Sequence, residues 1–188
     1  MAELRIGDQW IRFEREATAA AYSVISQGDA DRCTCQGCRN FACQRDNIYP
    51  GQFLNLLSTL GIDPSKEGEA VHYGQTGQLY FYGGWFYFVG EVLEKGESVV
   101  TIGCAPKLSG GNHQLSPVPE GFQYFIGTSF PKPPKAFGSP VIAVEFSTVL
   151  PWRLDEPYDP EADRQIRTTK DIIRRYSGAM RKLANTED

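Results

Sequence analysis

Only two histidines occur among 188 residues, so the chain is poor in the side chain that most often performs proton transfer near neutral pH. Positive charge is also short: 19 Lys and Arg stand against 23 Asp and Glu, a formal net charge of -4. That balance excludes a surface that holds nucleic acid by general phosphate neutralisation. No apolar run approaches the ~18 residues of a membrane-spanning helix. Met1 to Asp8 is too polar for a secretory signal, and the expectation is a cytoplasmic protein with neither nucleic-acid nor membrane partners. The sequence also lacks a G-x-S-x-G elbow, an H-E-x-x-H pair, a Walker A loop and a G-x-G-x-x-G turn. Its carboxylates, among them Glu91, Glu94, Glu145, Asp155 and Glu156, are too dispersed to suggest a catalytic pair. What remains is 41% hydrophobic and 12% aromatic, the composition of one globular domain rather than of a disordered chain.

Hydrophobic periodicity divides the chain. Trp10 to Ile25 mixes an alanine-rich stretch with alternating Ile11 and Phe13 and lacks a turn dipeptide, and it reads as strand. Ile48 to Leu60 reads as helix: Phe53, Leu56, Leu57 and Leu60 form one stripe, Pro50 suits the first turn and Gly61 the stop. From Glu69 the period becomes that of strands. Val71–Tyr73, Gln78–Tyr82, Trp85–Leu93, Ser98–Cys104, Phe122–Thr128 and Val141–Leu150 are rich in aromatic and β-branched residues. Gly83-Gly84 and Lys95-Gly96 read as hairpin connections, and Ala105–Gly121 and Phe130–Pro140 as long loops. Asp159 and Pro160 announce a C-terminal helix, with Ala162, Ile166, Thr169, Ile173, Tyr176, Met180 and Leu183 as a narrow seam and Gly178 as its weak point. The fold expected is α+β: a mainly antiparallel sheet of about six strands, an early helix after a cysteine segment, and a C-terminal helix. Residues 1–157 would form a single domain, and residues 158–188 a helix packed on it or on a second subunit as a homodimer.

Four of the five cysteines lie within eleven residues, as C-x-C-x2-C-x4-C. Cys35 and Cys38 have the spacing of a knuckle, a tight turn aiming two sulfurs at one zinc ion. Cys33 joins them only if the backbone turns, because alternate residues of an extended segment point apart. Cys43 lies five residues past Cys38, roughly 140° around a helix. The reading preferred is a structural zinc on Cys35 and Cys38, completed by Cys33, Cys43, His72 or Cys104. The competing readings are reduced buried cysteines without metal, a redox pair at a helix start, an iron–sulfur centre, and a disulfide-bonded exported protein. The spacing disfavours the iron–sulfur centre, and the odd cysteine count disfavours the disulfides.

Seven aromatics fall within Tyr80–Phe88. They read as a sheet covered on both faces or as an aromatic-lined pocket, with Tyr80, Tyr82, Trp85 and Tyr87, together with His113 from a glycine-rich loop, as ligand-binding candidates. The run Cys35-Gln36-Gly37-Cys38-Arg39-Asn40-Phe41, followed by Leu60-Gly61-Ile62-Asp63-Pro64, Val149-Leu150-Pro151-Trp152 and Asp155-Glu156-Pro157, resembles an uncharacterised family of small bacterial proteins. The resemblance runs over roughly Cys33 to Pro157. It implies no activity and adds weight to Cys35 and Cys38 as the central pair. The functional expectation is a non-enzymatic cytosolic protein that binds a protein partner or a small molecule and is stabilised by zinc. The alternative is a thiol- or metal-dependent enzyme using Cys35 and Cys38 beside an aromatic pocket.

Overall fold

The computed structural model describes residues 1–97, 99–103, 121–166 and 168–169. Seven strands form the sheet: β1 (Ala2–Ile6), β2 (Gln9–Phe13), β3 (Glu69–Thr76), β4 (Leu79–Glu94), β5 (Val100–Ile102), β6 (Phe122–Gly127) and β7 (Val141–Pro151). Every pairing is antiparallel, in the order β1-β2-β4-β7-β6-β5, and β3 lies beside the first half of β4. Helices lie between β2 and β3 and after β7, and the fold is α+β as expected. None of the described helices is long and apolar enough to cross a membrane.

Gly83-Gly84 is not a turn. It sits in the middle of the 16-residue β4, which runs without interruption against β7 from Leu79 to Val89. Neither glycine has a positive φ; their role is close approach. A Cβ on Gly84 would collide with the Glu69 carbonyl of β3 and stand 2.9 Å from the Phe146 ring of β7. The hairpin turn lies instead at Gly77-Gln78, between Thr76 and its partner Leu79, with Gly77 at a φ of 60°. Lys95-Gly96 likewise makes no hairpin, because β5 pairs with β6 rather than with β4.

The segment read as one strand from Trp10 to Ile25 is half strand and half helix. β2 ends opposite Gly90, and α1 (Arg15–Ser23) begins two residues after Phe13. The switch is governed by the edge of β4 left open between β3 and β2. Buried backbone groups there need partners, and the helix supplies them. Glu14 N donates to Val89 O at 2.9 Å, Thr18 Oγ1 accepts from Val89 N at 3.0 Å and Tyr22 Oη donates to Tyr87 O at 2.9 Å. Gly68 N takes Trp85 O at 2.8 Å.

Four short elements follow: α2 (Asp29–Arg32), α3 (Gln36–Ala42), α4 (Arg45–Ile48) and α5 (Gly51–Leu60). α5 starts at Gly51 rather than Ile48, and of its expected apolar stripe Phe53, Leu57 and Leu60 are fully buried and Leu56 partly so. Pro50 stands one position before its first turn, as the N-cap. Gly61 closes it at a φ of 77°, with Ile62 N donating to Leu57 O at 2.9 Å. Phe41, Tyr49 and Phe53 pack on Phe86, Phe122 and Phe146 of the sheet, the Phe53 and Phe122 rings 4.7 Å apart. Residues 128–140 are mostly irregular, with one 3-10 turn at Lys135–Phe137. Gln9 of β2 bonds both the N–H and the carbonyl of Ile126 at 3.0 Å, so the first hairpin meets the outer edge of β6.

A last helix, α6, begins at residue 160. Asp159 caps it as expected, its Oδ1 accepting from Glu161 N and Ala162 N at 3.0 and 3.1 Å. Ile166 packs against the core. The rest of the expected seam, from Ile173 on, lies outside the described residues, as do Gly178, Cys104, His113 and the expected loop from Ala105 to 120.

Candidate metal centre

The cysteine segment runs between two short helices and is covered from two sides. α2 ends at Cys33, the chain bends at Cys35, and Cys35 is the N-cap of α3. That bend removes the difficulty of alternation: Cys33 and Cys35 Sγ lie 3.3 Å apart. Cys38 stands in the first turn of α3, and its N–H donates to Cys35 Sγ at 3.4 Å. The three sulfurs all fall within 4.8 Å of one another. A separation of 3.3 Å is far beyond a disulfide bond, so these are reduced thiols. Only 8%, 1% and 6% of Cys33, Cys35 and Cys38 are exposed.

Cys43 is not part of the cluster. It lies at the far end of α3, exposed, with its Sγ 3.3 Å from Asn40 O. Five residues of helix turn it away from Cys38, as the helical geometry requires.

β3 forms the floor of the site. Cys38 Sγ sits 3.9 Å from Ala70 O, and Gly37 rests on His72 so closely that a Cβ there would stand 2.9 Å from His72 Cβ. Gly37 thus serves close packing of α3 on β3. α6 forms the lid through Asp163, a side chain 2% exposed. Its Oδ1 accepts from Gly37 N at 2.9 Å, its Oδ2 lies 3.9 Å from His72 Nδ1, and the carboxylate also accepts from Cys35. Gln36 adds bonds to Pro157 O and Asp159 N at 3.1 and 2.7 Å, which fix the approach of α6 to α3.

His72 is buried, with Nε2 2.9 Å from Gly74 O and Nδ1 3.3 Å from Tyr158 Oη. A carbonyl accepts only, so Nε2 carries a proton, and Nδ1 faces both Tyr158 Oη and the Asp163 carboxylate. Burial pushes the Asp163 carboxyl upward, but hydrogen bonds from His72, Gly37 and Cys35 outweigh it and hold the group below the usual carboxylate range. The hydrogen bond with Cys33 pushes the Cys35 thiol up to about 11. Cys38 is likewise raised, by its bonds with Cys33 and Cys35 and then by burial. A metal ion reverses this: coordination deprotonates a thiol outright.

The aromatic candidates divide by parity along β4. Tyr80 and Tyr82 face the cysteine side, around His72 at 5.7 and 5.1 Å between centroids, and Tyr82 Oη accepts from Asn40 Nδ2 at 3.0 Å. Trp85 and Tyr87 are on the opposite face. Tyr87 donates to Pro131 O at 3.1 Å and lines a separate cavity of about 610 Å³ with Tyr22, Lys66 and Phe137. The four rings therefore do not share one pocket.

Sequence reasoning missed Asp163 and Asn40. Asp163 resembled ordinary acid in the first turn of a helix. Asn40 is fully buried and binds Tyr82 Oη, Pro151 O and Arg153 N, locking α3 to the end of β7. The only trace of either in the sequence is a polar residue at a position where the helix faces the core. In comparisons with known proteins, no family model, no curated protein and no solved structure matches this chain.

Proposed function

We propose that the chain is a non-catalytic binding protein, acting on a protein partner or small molecule, in which one zinc ion on Cys33, Cys35 and Cys38 ties the end of α2 to the start of α3. The observation that carries the reading is the convergence of three buried reduced sulfurs within 4.8 Å. A set of soft donors enclosed by protein suits zinc and suits a structural rather than an open site. Asp163, against Cys35 and anchored by Gly37 N, closes the α6 side of the cluster, with His72 beside it. A thiol-dependent enzyme would need a thiol that substrate reaches, and the burial of Cys35 and Cys38 disfavours that alternative.

Cobalt titration tests the proposal. Reduced, metal-free protein should take up one Co²⁺ per chain with a strong near-ultraviolet thiolate-to-cobalt absorption, which zinc then bleaches. The band should vanish in Cys38→Ser and persist in Cys43→Ser. A folded wild-type chain that gives no such band refutes the site.

A further inference from the structure

We propose that the cleft where β6 and β7 meet the end of β4 binds a small organic cation, its ammonium held by Glu145 and its apolar part by Phe125, Val92 and Val99. The cleft has a volume of about 520 Å³ and these four residues line it together with Gln9 and Gly127. Register puts the carboxylate in an aromatic setting. Glu145 of β7 lies directly between Phe125 of β6 and Trp85 of β4, and all three side chains share one face of the sheet. The row beside it is Gly127, Ala143 and Tyr87. Gly127 is what admits the carboxylate, because a Cβ there would collide with Glu145 Oε1.

Glu145 differs from the other polar groups of this cleft. Gln9 spends both its side-chain atoms on Ile126 and is thereby part of the fold. Glu145 is half-buried, and among the described residues no donor bonds it and no cation pairs with it. Among the described residues, the other charged side chains lining the cleft are Lys95 and Glu97, both exposed. Burial of an unpartnered acceptor is costly, and desolvation alone holds the carboxyl proton up to about 7. An ammonium group supplies the missing donors and the opposite charge, and the Phe125 side chain lining the cleft suits the apolar part of such a ligand. Neither a metal at the cysteines nor the face carrying α3 to α5 enters this argument, so the site stands or falls independently of zinc.

The test is an NMR titration of ¹⁵N-labelled protein near pH 7.5 with benzylamine and, separately, with benzyl alcohol. Saturable shifts centred on Phe125, Gly127 and Glu145, with the amine binding at least about tenfold more tightly than the alcohol, are expected from a charge-assisted contact. Glu145→Gln should remove that preference. Equal binding of amine and alcohol, an amine affinity unchanged in Glu145→Gln, or no saturable shift overturns the proposal. The amine–alcohol comparison on the wild-type chain decides even if the variant does not fold.

Discussion

A carboxylate to which none of the described residues donates leaves a mark on stability as well as on binding. Glu145 is raised from 4.5 to about 7 by desolvation. Because the folded-state pKa is the higher one, the unfolded chain loses its proton first. Between pH 4.5 and 7 the unfolded state therefore binds fewer protons, and stability falls as pH rises through that window. Glu145→Gln removes the penalty. The variant should be more stable than wild type by about 1–2 kcal/mol above pH 7, after allowance for its partial exposure, and no more stable near pH 4.5. Urea unfolding of both proteins across that range checks this. A constant difference between them would contradict it. Single residues also mark where sequence reasoning was sound and where it failed. The helical angle between Cys38 and Cys43 was readable from spacing alone, and the structure keeps them apart. Gly84 was not readable, because its reason lies in the Glu69 carbonyl and the Phe146 ring, both distant in sequence.

At the level of elements, α2 is a single turn that cannot hold itself, since so short a helix has no intrinsic stability. Its N-terminus is capped from afar. Glu67, a side chain with no exposed surface, accepts from Ala30 N at 2.8 Å and from Arg45 at 3.0 Å, while Arg45 also holds Asp31. Its carboxylate lies on the Cα of Gly28, where a Cβ would overlap it. Glu67→Ala should cost about 3 kcal/mol, because it leaves a buried guanidinium short of a partner and an N–H unsatisfied. Glu67→Gln keeps an acceptor for Ala30 and should cost less than half as much. Denaturant midpoints measure both, and equal losses would show that the capping bond contributes nothing. Elements whose signals are local were legible: the stripe and glycine stop of α5, the Asp159 cap of α6, and the aromatic strands. The division of Trp10 to Ile25 was not, since the helix starts where β4 runs out of strand partners, which is a demand of tertiary structure.

Over the whole molecule, the cysteine segment is the point where α2, α3, β3 and α6 meet. The sheet is built from strands joined mostly by long-range pairing, and the helical layer rests on it through aromatic rings. The N-terminal part of that layer has little regular structure of its own, four elements of ten residues or fewer between Asp29 and Leu60. An ion at Cys33, Cys35 and Cys38 would join the end of α2 to the start of α3, the segment that β3 and α6 enclose. Its binding energy would then be folding energy. The sequence exposed the knuckle pair but not its surroundings, because the bend at Cys35 and the arrival of Asp163 depend on where distant elements pack. The most direct test is the metal content of protein purified without chelator. One zinc per chain is predicted in the wild type and in Cys43→Ser, with loss of the metal in Cys38→Ser. A folded wild-type protein without stoichiometric metal would contradict the account.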